Sequence, residues 1–157
     1  MERRIREEEV TKRSIEWLIN EGWEIICYDF PQSGTGIMLH PNSREDKNRG
    51  GIIPDIVAHK NSTVLFFENK ERFALRDFKK IDRLIHSNDY SIDIKRLLKN
   101  HKFNNIYYGV SLASSESNIE NCNANLDLVQ FIFLVDEHAV YIHYDPLNII
   151  LPCGKQD

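Results

Sequence analysis

The chain has 157 residues, 41% hydrophobic and 28% charged, with a formal net charge of −4. That balance describes a globular protein, one domain over residues 1–157 with room for a core, and it excludes a disordered chain and a strongly basic, general polyanion binder. No apolar run approaches a membrane span, and the charged start Met1-Glu2-Arg3-Arg4-Ile5-Arg6-Glu7 lacks the apolar centre of a signal peptide, so a cytoplasmic protein without a membrane partner is expected.

Glu2 to Glu21 contains neither Gly nor Pro and reads as a helix stopped by Gly22, with Val10, Ser14, Trp17 and Leu18 on one face. At about 100° per residue Glu7 falls in the middle of that face, whereas Glu8 and Glu9 turn away. A carboxylate there is either a first-turn residue favoured by the helix dipole or part of a site. Trp23 to Phe30 reads as the first strand, closed by Pro31. Gln32 to Arg49 is a long polar loop, of the kind that is usually functional or mobile. Its His40, Arg44, Lys47 and Arg49 lead into the next strand, a position suited to substrate contact.

Gly51 to His59 and Thr63 to Glu68 read as two strands joined by a tight turn at Lys60-Asn61-Ser62. Phe73 to His86 is an amphipathic helix, with Ala74, Phe78, Ile81 and Ile85 facing inward. Arg76, Lys79, Lys80 and Arg83 lie on the opposite side and could track a phosphate backbone. A short helix from Ser91 to Asn100 and a strand from Asn105 to Leu112 follow. Ala113 to Asn125 is a polar loop, and Val129 to Val135 with Ala139 to Tyr144 form a hairpin around Asp136-Glu137-His138. The order α-β-β-β-α-α-β-β-β indicates an α/β fold with helices flanking a mixed sheet. Tyr107, Tyr108, Phe131 and Phe133 are expected in its core.

Between Asn69 and Lys102 ten Lys/Arg face five Asp/Glu, a local excess of +5, so the remainder carries −9. A basic face beside an acidic cluster is the simplest reading. Three widely separated cysteines, Cys27, Cys122 and Cys153, offer no zinc spacing and read as idle thiols.

The chemistry concentrates around two strands. Thr63-Val64-Leu65-Phe66-Phe67 is a buried-strand sequence, yet it runs into Glu68-Asn69-Lys70, polar groups that are costly to bury unless paired or bound to a metal. One hairpin away stands Asp55, and strand alternation directs Glu68 and Lys70 to one face and Asn69 to the other. Two converging carboxylates beside an ammonium suit a hard divalent cation and phosphodiester hydrolysis. His59, four residues after Asp55, shares its face and reads as structural.

Pro54-Asp55, a gap of twelve residues and then Glu68-Asn69-Lys70 resembles the PD-(D/E)XK nuclease superfamily. The likeness covers a helix-strand-strand-strand-helix-strand core, roughly residues 2 to 113, and implies the restriction-endonuclease-like fold. It implies that Asp55 and Glu68 hold Mg²⁺, for which Mn²⁺ could substitute, with the backbone carbonyl of Asn69 as third ligand. Lys70 would contact the phosphate or orient the attacking water, and desolvation could lower its pKa enough for proton transfer. Glu7 matches an additional acidic group that members often supply from the first helix. The activity implied is a Mg²⁺-dependent DNA endonuclease, foremost a type II restriction endonuclease or the small catalytic subunit of one. It would work as a homodimer or as a heterodimer with a recognition subunit. The alternatives are a structure-specific junction or repair nuclease, and a non-catalytic DNA-binding or assembly module of the same fold.

Overall fold

The computed structural model describes residues 5–30, 36–42 and 51–151. Helix α1 (Glu7–Asn20) is followed by strands β1 (Glu24–Tyr28), β2 (Ile56–Lys60) and β3 (Thr63–Lys70). Helices α2 (Leu75–His86) and α3 (Ser91–Leu97), strand β4 (Asn105–Ala113), helix α4 (Glu116–Asn123) and strands β5 (Phe131–Val135) and β6 (Val140–Tyr144) complete it. The six strands form one sheet in chain order. β1, β2 and β3 run antiparallel in turn, β4 and β5 lie parallel to their predecessors, and β6 closes antiparallel to β5. The protein is therefore a mixed α/β protein whose six-stranded mixed sheet is flanked by helices.

β3 is central and buried on both faces, which is why its sequence is continuously apolar rather than alternating. Leu65 and Phe67 point to the α1 side, where they meet Leu18, Phe131 and Phe133. Val64 and Phe66 point to the other side, toward Phe78 and Ile81 of α2. On the first face Phe67 stands edge-on to Phe131 and Phe133, with ring centres 4.8 and 4.9 Å apart, geometry worth about 0.5–1.5 kcal/mol per pair beyond burial.

α1 ends where expected: Gly22 has φ +91°, a conformation that costs glycine nothing. The β2–β3 hairpin turns on Asn61 and Ser62, both with positive φ, because a two-residue turn of that hand matches strand twist. β2 starts later than its sequence suggests. Pro54 has no N–H to give a ladder, and Ile52 instead bridges to Leu39. The polar stretch after β4 is not a loop but contains α4. Ser115 caps it by accepting from the Asn118 N–H at 3.1 Å, and Asn118 and Cys122 are buried beneath it.

Tyr108, Phe131 and Phe133 are core residues, and Tyr107 is half-buried against the cluster that holds Phe131 and Phe133. Cys27 and Cys122 are buried free thiols that burial pushes up to about 11 and about 12; Cys153 lies outside the described residues. Among the described residues no helix is long and apolar enough to cross a membrane.

Candidate functional site

The alternation of β3 carries past its apolar part. Asn69 continues the Leu65–Phe67 side and is fully buried against α1, where its Nδ2 donates to Thr11 Oγ1 at 3.0 Å. Thr11 Oγ1 in turn donates to the Glu7 carbonyl at 3.1 Å. Glu68 continues the Val64–Phe66 side, toward α2. Ile56 pairs with Phe67, and the Asp55 N–H donates to the Phe67 carbonyl at 2.9 Å. Asp55 is thereby held beside the Glu68 end of the strand, and its Oδ2 accepts the Asn69 N–H at 2.6 Å. Lys70 Nζ lies 3.5 Å from Glu7 Oε1. Asp55, Glu68, Lys70 and Glu7 thus gather at one end of the sheet, as their sequence positions imply. Glu8 instead turns out to Lys12, and Glu9 pairs with Arg13.

Burial and mutual repulsion govern the electrostatics. Desolvation, then the Glu68 charge, push Asp55 from 3.8 up to about 8, although the Asn69 N–H pulls the other way. Glu68 is also raised, first by burial and further by Asp77, with Lys80 opposing. For Lys70 desolvation pulls downward, but Glu7, then Asp77, Glu68 and Asp55, outweigh it and raise its pKa. That corrects the expected lowered lysine: surrounded by carboxylates, Lys70 is held as an ammonium, a donor and a positive charge rather than a base.

Two residues of α2 enter where the sequence places neither. Lys80 does not join the outer stripe; its Nζ reaches Glu68 Oε2 at 3.2 Å. The flank of a helix suffices for this, because the lysine stem is long. Asp77 is 8% exposed, and its Oδ2 is buried without a hydrogen-bond partner. Its signal was present: Ala74, Asp77, Phe78 and Ile81 fall on one helical stripe, so a carboxylate interrupts an apolar face.

Arg76, Lys79 and Arg83 are exposed on the outer face of α2 as expected. Arg44, Lys47 and Arg49 lie outside the described residues, whereas His40 is placed, its backbone N–H donating to Asp93 Oδ2 at 2.7 Å. His59 is structural: its Nε2–H donates to the Lys102 carbonyl at 2.8 Å.

Among the described residues no three His, Cys, Asp or Glu side chains are grouped closely enough to form a metal cage by themselves. The donors that fit a cation are two carboxylates, Asp55 and Glu68, with main-chain oxygen and water completing a shell, as suits Mg²⁺. Charge supports that fit. Glu7, Asp77, Glu68 and Asp55 all act on the Lys70 ammonium, and Lys80 acts on Glu68. Burial and mutual repulsion hold Asp55 and Glu68 toward their protonated forms, a cost that a bound divalent cation would relieve, and the buried Asp77 Oδ2 has no hydrogen-bond partner.

Fold and site together define a mixed α/β protein with a buried acidic centre at one end of its sheet. Comparison of the chain with protein-family models, with curated proteins and with solved structures returned no match.

Proposed function

We propose that the protein is a Mg²⁺-dependent DNA endonuclease of the restriction-endonuclease-like fold. The observation that carries this reading is the gathering of Asp55, Glu68, Lys70 and Glu7 at one end of β3. The run α1-β1-β2-β3-α2, followed beyond α3 by β4 parallel to β3, supports the fold assignment.

Asp55 and Glu68 would hold the cation, with the Asn69 carbonyl as a third ligand. When bound it would lower the pKa of a water and stabilise charge on the scissile phosphate. The Asn69 N–H fixes Asp55 Oδ2, so that carboxylate is oriented before any ligand arrives. Lys70, kept positive by its neighbours, places an ammonium where the phosphate charge grows. Glu7 holds Lys70 from the opposite side and is the group available to accept a proton or orient a water at the α1 edge. Arg76, Lys79 and Arg83 supply the exposed phosphate-tracking charges on DNA.

Within this class a type II restriction endonuclease, or the small catalytic subunit of one, is the preferred assignment. The stretch after β4 is folded into α4 and packed down, which leaves little of the described chain to read bases. Base reading then falls to the Gln32 to Arg49 stretch, most of which lies outside the described residues, with a dimer mate or a partner subunit to supplement it. Plasmid digestion tests the reading: with Mg²⁺ the native chain, alone or with its genomic neighbours' products, should nick or linearise DNA. Asp55→Ala and Glu68→Ala should not. Cleavage that persists in both variants would remove the assignment.

A further inference from the structure

Lys80 and Asp77, three residues apart on α2 and so on one side of that helix, meet the Glu68–Lys70 end of β3. The Lys80 ammonium stands 3.2 Å from Glu68 Oε2, and 29% of its side chain is exposed, against 11% for Glu68. It is not a sealed structural charge. A cavity of about 10 Å³ adjoins the pair, lined by Pro54, Glu68, Lys80 and apolar neighbours. That is room on the scale of a single water. Lys80 therefore occupies one of the oxygens a hard cation would use, on a flexible four-carbon stem that can leave. An ammonium and a divalent cation crowded onto one carboxylate would repel each other at such short range.

We propose that Lys80 holds the cation's place at Glu68 until a divalent cation displaces it, and that the released ammonium then contacts a DNA phosphate. The inference rests on the nuclease reading above. Its consequence is that the DNA contact of Lys80 exists only when the cation is bound. Arg76, Lys79 and Arg83 are exposed already and act on DNA in either state. Lys80 differs because Glu68 neutralises it in the cation-free protein. A lysine already paired to a carboxylate neutralises no phosphate and releases no counterion from DNA. One side chain thus couples cation occupancy to DNA contact without any movement of the backbone.

The test measures binding of a short fluorescent DNA duplex by anisotropy, in EDTA and in Ca²⁺, with recovery of intact DNA as a check. Lys79→Gln should weaken binding by the same factor, roughly two- to fivefold, in both conditions. Lys80→Gln should weaken binding by less than about twofold in EDTA, where it only uncovers the Glu68 carboxylate, and by about three- to tenfold in Ca²⁺. Calorimetric Ca²⁺ affinity should rise severalfold in Lys80→Gln, which lacks the competitor. It should fall in Lys80→Arg, whose guanidinium grips a carboxylate with two parallel bonds. Equal weakening by Lys80→Gln in both conditions, or none in either, overturns the proposal while leaving the nuclease reading intact. Should Lys80→Gln not fold, Lys80→Arg decides alone, and an unchanged Ca²⁺ affinity overturns it. A native chain that binds neither Ca²⁺ nor DNA would instead remove the nuclease reading and this proposal with it.

Discussion

The Asn69 N–H donates to Asp55 Oδ2 across 2.6 Å, so the middle residue of Glu-Asn-Lys orients the aspartate of Pro-Asp. On the opposite face the Asn69 side chain donates to Thr11, tying the same residue to α1. One position on β3 thereby fixes a carboxylate and a helix together, and the site inherits the rigidity of the sheet.

That tie gives the first prediction. Thr11→Val keeps the shape but leaves the fully buried Asn69 Nδ2 without its acceptor. Stability to urea should fall by about 1–3 kcal/mol, the cost of an unsatisfied buried donor. A fall no larger than that of an exposed substitution such as Lys12→Gln would mean that the bond contributes nothing.

The second concerns pH. Asp55 is raised in the folded protein from 3.8 to about 8, so between those values the folded state binds the extra proton. Stability of the cation-free protein should therefore fall as pH rises through that window and level off above it. Glu68 is displaced in the same direction and steepens the fall. Melting temperature against pH in EDTA measures it, and Asp55→Asn should flatten the curve and stabilise the protein at the alkaline end. A native curve that rises through the window would contradict the buried carboxylate pair.

Lys70 and Glu7 form the third. Lys70→Ala should reduce cleavage by about 100-fold or more while leaving most DNA affinity, since on the proposed reading it would act where charge develops. Glu7→Gln should lower turnover sharply with little change in stability, because glutamine keeps the shape and the helix propensity. Glu8→Gln, on the exposed side, should be nearly silent. Equal effects at Glu7 and Glu8 would point to the helix dipole instead.

A fourth tests the packing beneath the site. A Cβ on Gly109 would press into the Phe131 ring and backbone. Gly109→Ala should destabilise by about 1–3 kcal/mol through overpacking, read from the same urea curves.

The centre was legible because β3 obeys a period of two. Once Leu65 and Phe67 face α1, Glu68 must face the other way and Asn69 must meet α1. Glu7 was legible for the same kind of reason, through the period of α1. Lys80 was not, and the signal of Asp77 on the apolar stripe is easily passed over, because charged residues on an amphipathic helix are read by default as its wet side. Here one lies on the dry stripe and the other reaches around the flank. α4 was hidden by its composition. Its Ser and Asn residues read as loop, whereas Asn118 folds the segment by bonding nearby Ala113 together with Glu71 and Phe73, two partners no local window contains.

The most direct test of the account is a Mn²⁺ titration of the native chain, Asp55→Ala and Glu68→Ala, read by calorimetry. Binding that is present in the native chain and lost in both variants is the predicted result, because the two carboxylates would share the cation. Binding that survives in both, or none in the native chain, would contradict the central claim that Asp55 and Glu68 converge to hold a divalent cation.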